Sequence, residues 1–476
     1  MKFGKLLKWS MISALAGFLF GFDTVVISGA EKTLQIIWNS SDLFHGFVVV
    51  SMALWGTVIG AIFGGIPSDK LGRKKTLVFI GVLYFLSAIG SAFANGPIIF
   101  SFFRFIGGIG IGVSTIAVPT YITEISPAKD RGRLVGLYQF NLVFGMLIAF
   151  LSNYYFIAFG EDSWRYMMGI EAFPALLYLI FSFYIPFSPR WLISKGKINE
   201  ASNILGQINT KDQTKIIIQE IESDLNNTKS DESIFIKKYR FVLILAFCVA
   251  FFNQFSGINA VLYYAPRIFE ETGLDDTAAL FNSVIIGIIN LIFTYIGISL
   301  IDKIGRKKLM LIGSFGYIFS LLMMALNIKD NLIGINTSVF IFSFIASHAI
   351  GQGTVIWVFI SEIFPNKLRS NGQAFGSSVH WILAAIIPAL IPYLFNTIGS
   401  EIVFLGFAIM MIFQLLFVIF IMPETKGISI ESLFKKISLN NKQTKSKLLA
   451  AAALDQQQKK LVLLLVKSWY WSKPGA

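Results

Sequence analysis

Twelve apolar runs, each about as long as a bilayer is thick, fix what this chain can become. Some 20 apolar residues cross a membrane core. A backbone without water must satisfy its own hydrogen bonds, which favours helices. The runs cover approximately 8–29, 45–66, 76–94, 98–122, 134–158, 166–186, 240–264, 278–300, 308–326, 335–360, 372–396 and 401–422. The expected fold is an all-α membrane protein with twelve transmembrane helices. Only 14% of the 476 residues are charged, against about 25% in a soluble domain.

The net charge is +13. In a soluble protein such an excess suggests nucleic acid. Here it sits in short connections: Lys70, Arg73, Lys74 and Lys75; Lys129, Arg131 and Arg133; Lys303, Arg306, Lys307 and Lys308; Lys367 and Arg369. The alternate connections are acidic or neutral, as in Glu161-Asp162, Glu270-Glu271 and Asp275-Asp276. Basic loops stay in the cytoplasm. Both termini are therefore expected inside, in a bacterial inner membrane, with lipid and no nucleic acid as surroundings. Cys248 is the single cysteine, and His45, His348 and His380 are the only histidines. A disulfide, a metal cluster and a cofactor are not expected. Met1 to Lys5 resembles the start of a signal peptide, but the apolar run is too long and no cleavage site follows, so it reads as the first helix.

The polar stretch 187–239, patterned as short amphipathic helices, separates six runs (1–186) from six more (240–430). After 431 a tail ends in Leu461 to Val466, too short to span, and Trp469-Tyr470-Trp471. It reads as disordered, extraneous or interfacial, without assigned function. The halves repeat: Gly72-Arg73-Lys74-Lys75 recurs as Gly305-Arg306-Lys307-Lys308, and Thr123-Glu124-Ile125-Ser126-Pro127 as Ser361-Glu362-Ile363-Phe364-Pro365. Two parallel six-helix repeats are one way to build a carrier that rocks around a central site.

Asp23 lies near the middle of the first run, in Phe20-Gly21-Phe22-Asp23-Thr24. A carboxylate at that depth costs roughly 2.5–3.5 kcal/mol on insertion scales. The clearest basic residue inside a run is Arg104, near the outer start of the fourth. Intramembrane charges usually pair. The pair is either structural or a proton switch, in which a protonated Asp23 no longer holds Arg104. The matching position in the second half is the neutral Asn259, which assigns ion chemistry to one half and ligand contacts to the other. Gly107, Gly108, Gly110 and Gly112 follow no strand and read as close helix packing.

Two further sets stand out. Asp69 with Arg73, Glu124 with Arg131, Asp302 with Arg306, and Glu362 with Arg369 put acid beside base at matching cytoplasmic places, with Arg190 in the linker. They are either topology charges or bridges between the halves that close the inner face. Gln139, Asn253, Gln254, Asn259 and Asn290 are amides in apolar runs, near Tyr263, Tyr264, Trp357, His380 and Trp381. Each amide alone can bond a neighbouring helix. Together they suit a polyol, since amides donate and accept as hydroxyls do.

The chain resembles the sugar porter family of the major facilitator superfamily over about 8–430. The resemblance rests on Gly21-Phe22-Asp23-Thr24, Asp69-Lys70-Leu71-Gly72-Arg73-Lys74, Glu124…Arg131-Gly132, Ser188-Pro189-Arg190-Trp191-Leu192, Gln254-Phe255-Ser256-Gly257-Ile258-Asn259…Tyr263-Tyr264, Asp302-Lys303-Ile304-Gly305-Arg306, Glu362-Ile363-Phe364-Pro365 and Pro423-Glu424-Thr425-Lys426-Gly427. It implies alternating access by a monomer to a monosaccharide bound at Gln139, Gln254, Asn259, Asn290 and Trp357, with Tyr263 and Tyr264 as outer gate. It further implies that Asp23 and Arg104 couple a proton to sugar import. A facilitative uniporter and a non-transporting sensor are the rival readings. No nucleophile–base pair suggests an enzyme. Three positions depart from the family pattern: Asn253 and His380 replace glutamine or asparagine beside the sugar, and Phe187 replaces a glutamate, which is expected to remove one bridge near Arg190.

Overall fold

The structure, a computed structural model, describes residues 3–127, 130–227, 233–329, 335–365 and 368–427. Lys129, Lys367 and the tail from 431 lie outside the described residues. Among the described residues ten stretches are long and apolar enough to cross a membrane, and the pair Asp42–Val50 and Met52–Phe63, bent by 43° at Ser51, makes an eleventh. One of the ten, Arg131–Ser182, has 52 residues. At 1.5 Å per residue it is about 78 Å long, over twice the ~30 Å core. It is broken at Gly160 and crosses twice, which brings the total to twelve.

The spans start and stop within a few residues of their sequence positions. Those that bear on the site are the first (Phe3–Val26), the fourth (Pro97–Ile125), the fifth (Arg131–Phe156), the eighth (Asp276–Ile304), the ninth (Arg306–Lys329) and the eleventh (Arg369–Ile398). The seventh departs most from a single apolar run. It is three helices in line, Arg240–Phe255, Ile258–Tyr263 and Ala265–Glu271.

Contacts repeat as the motifs do. The first span packs on the fifth, the second on the fourth and the third on the sixth; the seventh packs on the eleventh, the eighth on the tenth and the ninth on the twelfth. The halves meet where the second span crosses the eleventh and the fifth crosses the eighth, a pair of interfaces related by the same repeat. Small residues permit this approach. A Cβ on Gly46 would lie 1.9 Å from the Ala389 carbonyl oxygen, and one on Gly287 2.9 Å from Leu147 Cα. The glycines of the fourth span also pack as expected: Gly108 abuts Ala53 and Gly112 abuts Thr57, both on the second span.

The repeated Gly-Arg-Lys-Lys turns have a backbone reason. Gly72 (φ 85°, ψ 153°) and Gly305 (φ 97°, ψ 164°) adopt a conformation essentially closed to other residues. Each ends one helix and starts the next in a single step. A helix start leaves amide donors without intrahelical partners. In the second half Glu424 takes two of them, from Arg306 N and Lys307 N, each at 3.0 Å. In the first half the equivalent position is Phe187. It stacks on Trp191 (5.8 Å between centroids) and lies 5.3 Å from Lys74 Nζ. The expected gap near Arg190 is thus filled by an aromatic and cation–π contact, and Arg190 Nη1 lies 3.4 Å from Asp224. The linker helices Pro189–Ser194, Ile198–Leu205 and Lys211–Asn227 dock here, with Trp191 Nε1 donating to Asp69 O at 2.9 Å.

Two outcomes are expected. Phe187→Glu should cap the third span as Glu424 caps the ninth and raise the thermal midpoint, by roughly 0.5–1 kcal/mol of stability. Burial alone would push the Glu424 carboxyl up, but backbone donors from Lys426, Arg306, Lys307 and Thr425 hold it below its ordinary 4.5. A depressed value stabilises the fold above 4.5 and loses that contribution as pH falls through the folded-state value. Glu424→Gln should therefore unfold at lower temperature at neutral pH, and its midpoint should fall less than the parent's on acidification in thermal melts.

Candidate functional site: a buried ion group and a cluster of amides

Asp23 and Arg104 meet as the sequence suggests. Asp23 is 1% exposed and Arg104 fully buried. Arg104 Nη1 pairs with Asp23 Oδ1 in a short contact, and Nη2 donates to the Asp23 backbone oxygen at 2.8 Å. The first span supplies the carboxylate and the fourth the guanidinium. Gly107, one turn after Arg104, faces the same place: a Cβ there would lie 2.3 Å from Ser87 Oγ and 3.7 Å from Asp23 Oδ1.

The sequence reading missed a third member. Glu171, 1% exposed, sits at the break of the sixth span between Ser163–Gly169 and Ala172–Ser182. Its carboxyl lies close enough to Asp23 and Arg104 to interact with both electrostatically. The signal was present, since Glu171 interrupts an apolar run just as Asp23 does. Asp23 Oδ2 and Glu171 Oε1 are buried without a donor. Two carboxylates cannot supply one to each other, but a single proton turns one into a donor and leaves the other an acceptor. With both ionised beside Arg104 the group carries −1. With one proton it is neutral.

The amides gather on the other half. Gln254 Nε2 lies 3.0 Å from Asn253 Oδ1 and 3.2 Å from a ring nitrogen of His380, while Gln254 Oε1 accepts from Asn259 Nδ2 at 2.8 Å. The break after Phe255 lets Asn259 turn back to Gln254. His380 stands between two indoles, 4.9 Å from Trp357 and 4.8 Å from Trp381. Trp381 packs across the halves on Phe20, at 5.6 Å, and its buried Nε1 has no protein acceptor. Asn253 therefore serves Gln254, and His380 occupies the centre of the aromatic group. Asn290 is separate from this chain of amides. Its Nδ2 lies 3.5 Å from Met146 Sδ of the fifth span. Gln139 is half-buried two turns before Met146 on that helix, and the structure brings it to none of the other amides.

Tyr263 and Tyr264 divide their contacts. Tyr264 Oη donates to Pro388 O at 2.9 Å. Pro392 has no N–H to offer that carbonyl, so the tyrosine takes a group the helix cannot satisfy. Tyr263 is buried within reach of the Thr24 side chain, beside Asp23.

The basic-face charges correct one expectation. Arg73 binds Asp69 and Glu124, both at 2.9 Å. Arg306 binds Asp302 at 3.0 Å and Glu362 at 2.7 Å. All four contacts lie within a half, and Glu124 and Glu362 hold Arg73 and Arg306, where the sequence had set Arg131 and Arg369 beside them. The glycine turns bring Arg73 and Arg306 to the first position of the next helix, beside the ends of the fourth and tenth spans. Ser188 and Thr425 complete the two sets symmetrically, donating to Glu124 Oε2 at 2.5 Å and to Glu362 Oε2 at 2.6 Å. Arg131 is exposed and Arg369 half-buried. On the opposite, acidic face the halves are tied together, by Glu31 to Arg267 at 2.7 Å and Asp42 to Asn396 at 2.8 Å.

Two six-helix repeats, with a cluster of amides and aromatic rings in one and a buried ion group in the other, define a membrane carrier of the major facilitator fold. The family model described as "Sugar (and other) transporter" matches residues 9–435, and the chain belongs to that family. It is 33% identical over 462 residues to the D-xylose-proton symporter of Escherichia coli (strain K12), covering 89% of this chain and 94% of the relative. It is 36% identical over 435 residues to the arabinose-proton symporter of Bacillus subtilis (strain 168), covering 90% and 94%. The solved structure of the E. coli xylose transporter XylE in a partially occluded inward open conformation superposes with a TM-score of 0.80 at 32% identity, covering 89% of this chain and 99% of that one.

Gln254 touches Asn253, Asn259 and His380, so its loss should disrupt the amide cluster. Gln254→Leu is expected to weaken monosaccharide-induced tryptophan quenching by about tenfold, or ~1.4 kcal/mol. Undiminished affinity would remove Gln254 from the site.

Proposed function

We propose that this chain imports a monosaccharide, a pentose or hexose, together with a proton by alternating access. The observation that carries the reading is the buried group of Asp23, Arg104 and Glu171. A carrier that only facilitates sugar passage has no need to keep a net charge at that depth, where unpaired charge is costly. The names of the relatives, symporters of D-xylose and arabinose with protons, support the same reading.

In this reading Asp23 and Glu171 bind one proton as a unit, with Arg104 as their common counter-ion. Protonation at the pair weakens the hold on Arg104 and thereby on the fourth span. Tyr263 carries the change to the other half, because it lies beside both Thr24 and the ion group. The sugar is bound by Asn253, Gln254, Asn259 and His380, between Trp357 and Trp381, with Gln139 and Asn290 completing the cavity from the fifth and eighth spans. Tyr263 and Tyr264 form the outer gate. On the basic face Asp69, Arg73, Glu124, Asp302, Arg306 and Glu362 brace each half as a rigid unit, so that the halves move as blocks. Six spans on each side of the 187–239 linker form those blocks. The carrier works as a monomer in a bacterial inner membrane, basic face and both termini inward, and needs no cofactor besides the proton.

The test is uptake into proteoliposomes. An imposed inward proton gradient should drive accumulation of labelled sugar. Asp23→Asn should abolish accumulation and retain counterflow. Uptake indifferent to the gradient would make the chain a uniporter with a structural ion group. Absence of counterflow in the parent would make it a sensor.

A further inference from the structure

The acidic face holds a second buried ion group that neither the proton switch nor the sugar cavity uses. Glu31 opens the short helix Glu31–Ile37 just past the first span, and only 1% of it is exposed. Arg267, in Ala265–Glu271 of the other half, grips it with two prongs: Nε lies 2.9 Å from Oε1 and Nη2 2.7 Å from Oε2. Arg267 Nη2 also donates to Gln35 Oε1 at 2.6 Å. His45, fully buried at the start of the bent second span, places Nε2 3.3 Å from Glu31 Oε2 and Nδ1 3.4 Å from Ser40 Oγ. Around this centre lie half-exposed partners. Lys32 pairs closely with Glu270 and is 3.8 Å from Asp276, and Asp42 accepts from Gln35 Nε2 and Asn396 Nδ2, each at 2.8 Å.

Position gives this group its consequence. Arg267 lies three residues after Tyr264 and eight after Asn259, on the segment that runs from the sugar amides through the outer gate. Glu31 and His45 belong to the first half. When the halves part on this face, Glu31 and Arg267 separate. An exposed pair such as Lys32 with Glu270 resists that separation little. A buried, two-pronged pair with both ends further bonded resists it more, since each charge loses its partner before water replaces it.

We propose that Glu31 and Arg267, braced by His45 and Gln35, form an ion latch on the outer gate that holds the binding site closed to the outside and opens once in each transport cycle. The latch rests on the transport reading above, with which it shares the alternating-access motion.

The experiment reads the outer seal directly. In a Cys248→Ala background, Ala389→Cys puts the single thiol under that seal, where Ala389 is fully buried against Gly46 of the other half. Right-side-out vesicles without sugar are then treated with a membrane-impermeant maleimide. Glu31→Gln and Arg267→Gln should each raise the labelling rate roughly fivefold or more, the lower end of the coupling between linked states. The double variant should label no faster than the quicker single, because either change alone opens the latch. The exchange Glu31→Arg with Arg267→Glu should return labelling towards the parent rate. Thermal melts identify the variants that fold. If Arg267→Gln does not fold, Arg267→Lys, which keeps the charge and loses one prong, should label at an intermediate rate. Parent-like labelling in a folded single variant, or additive effects in the double, overturns the latch. Proton-driven uptake is measured on the parent separately. A gradient-independent parent whose variants label as expected loses the symport reading and keeps the latch.

Discussion

Everything in this molecule is arranged around a guanidinium and two carboxylates that share one dry place in the first half. Removing such groups from water is expensive, and mutual attraction offsets the cost only when geometry and further hydrogen bonds are good. Arg104 meets both conditions with a side-chain and a backbone contact to Asp23. Glu171 then makes the count uneven. In the proposed cycle one proton restores neutrality, which ties the packing of three spans to a species supplied by the surroundings. Among the described residues the second half has no such group. Asn259 stands where Asp23 does in the first, and its amide bonds Gln254.

Helix breaks interrupt several of the spans. The second span bends at Ser51, the sixth breaks around Glu171, the seventh after Phe255 and Tyr263, and the tenth at Gly351. In an apolar solvent each break leaves polar backbone to be satisfied. Ser256 Oγ bonds Asn253 O at 2.6 Å, and Thr354 Oγ1 bonds Ala349 O at 2.6 Å. Two of the broken spans carry Glu171 and Asn259, and the bent one carries His45 in its first turn. The third, ninth and twelfth spans are unbroken and lie away from the contact between the halves. Rigid shell and broken centre are what a rocking carrier needs.

The two faces close by different physics. On the basic face, repeated acid–base sets bind loops to helix ends within a half, and glycine turns fix their register. On the acidic face, Glu31, Lys32 and Asp42 bind residues of the other half. The latter ties run between halves because the loops there are short helices that cross the interface, whereas the basic loops fold back on their own repeat.

Much of this was legible from residues alone. Span number, span limits and the repeat follow from a bilayer's thickness and from motifs that only glycine and charge can fulfil, and local chemistry decides such things. Asp23 announced its need of a partner because no apolar run tolerates a lone carboxylate, and Arg104 was the residue able to meet it. Partner choice among the remaining charges was not legible. Glu124 and Glu362 each have an arginine nearby in sequence, but a helix turn carries a different one to them. Glu171, Glu31 and His45 were visible as charges or polar groups in apolar surroundings, yet which group each would face depends on how spans far apart in the chain pack. The sequence by itself determined what had to be buried and paired, because the cost of charge in an apolar medium is a property of each residue. Only the tertiary structure decided with whom, because that depends on the distances the folded helices leave between side chains.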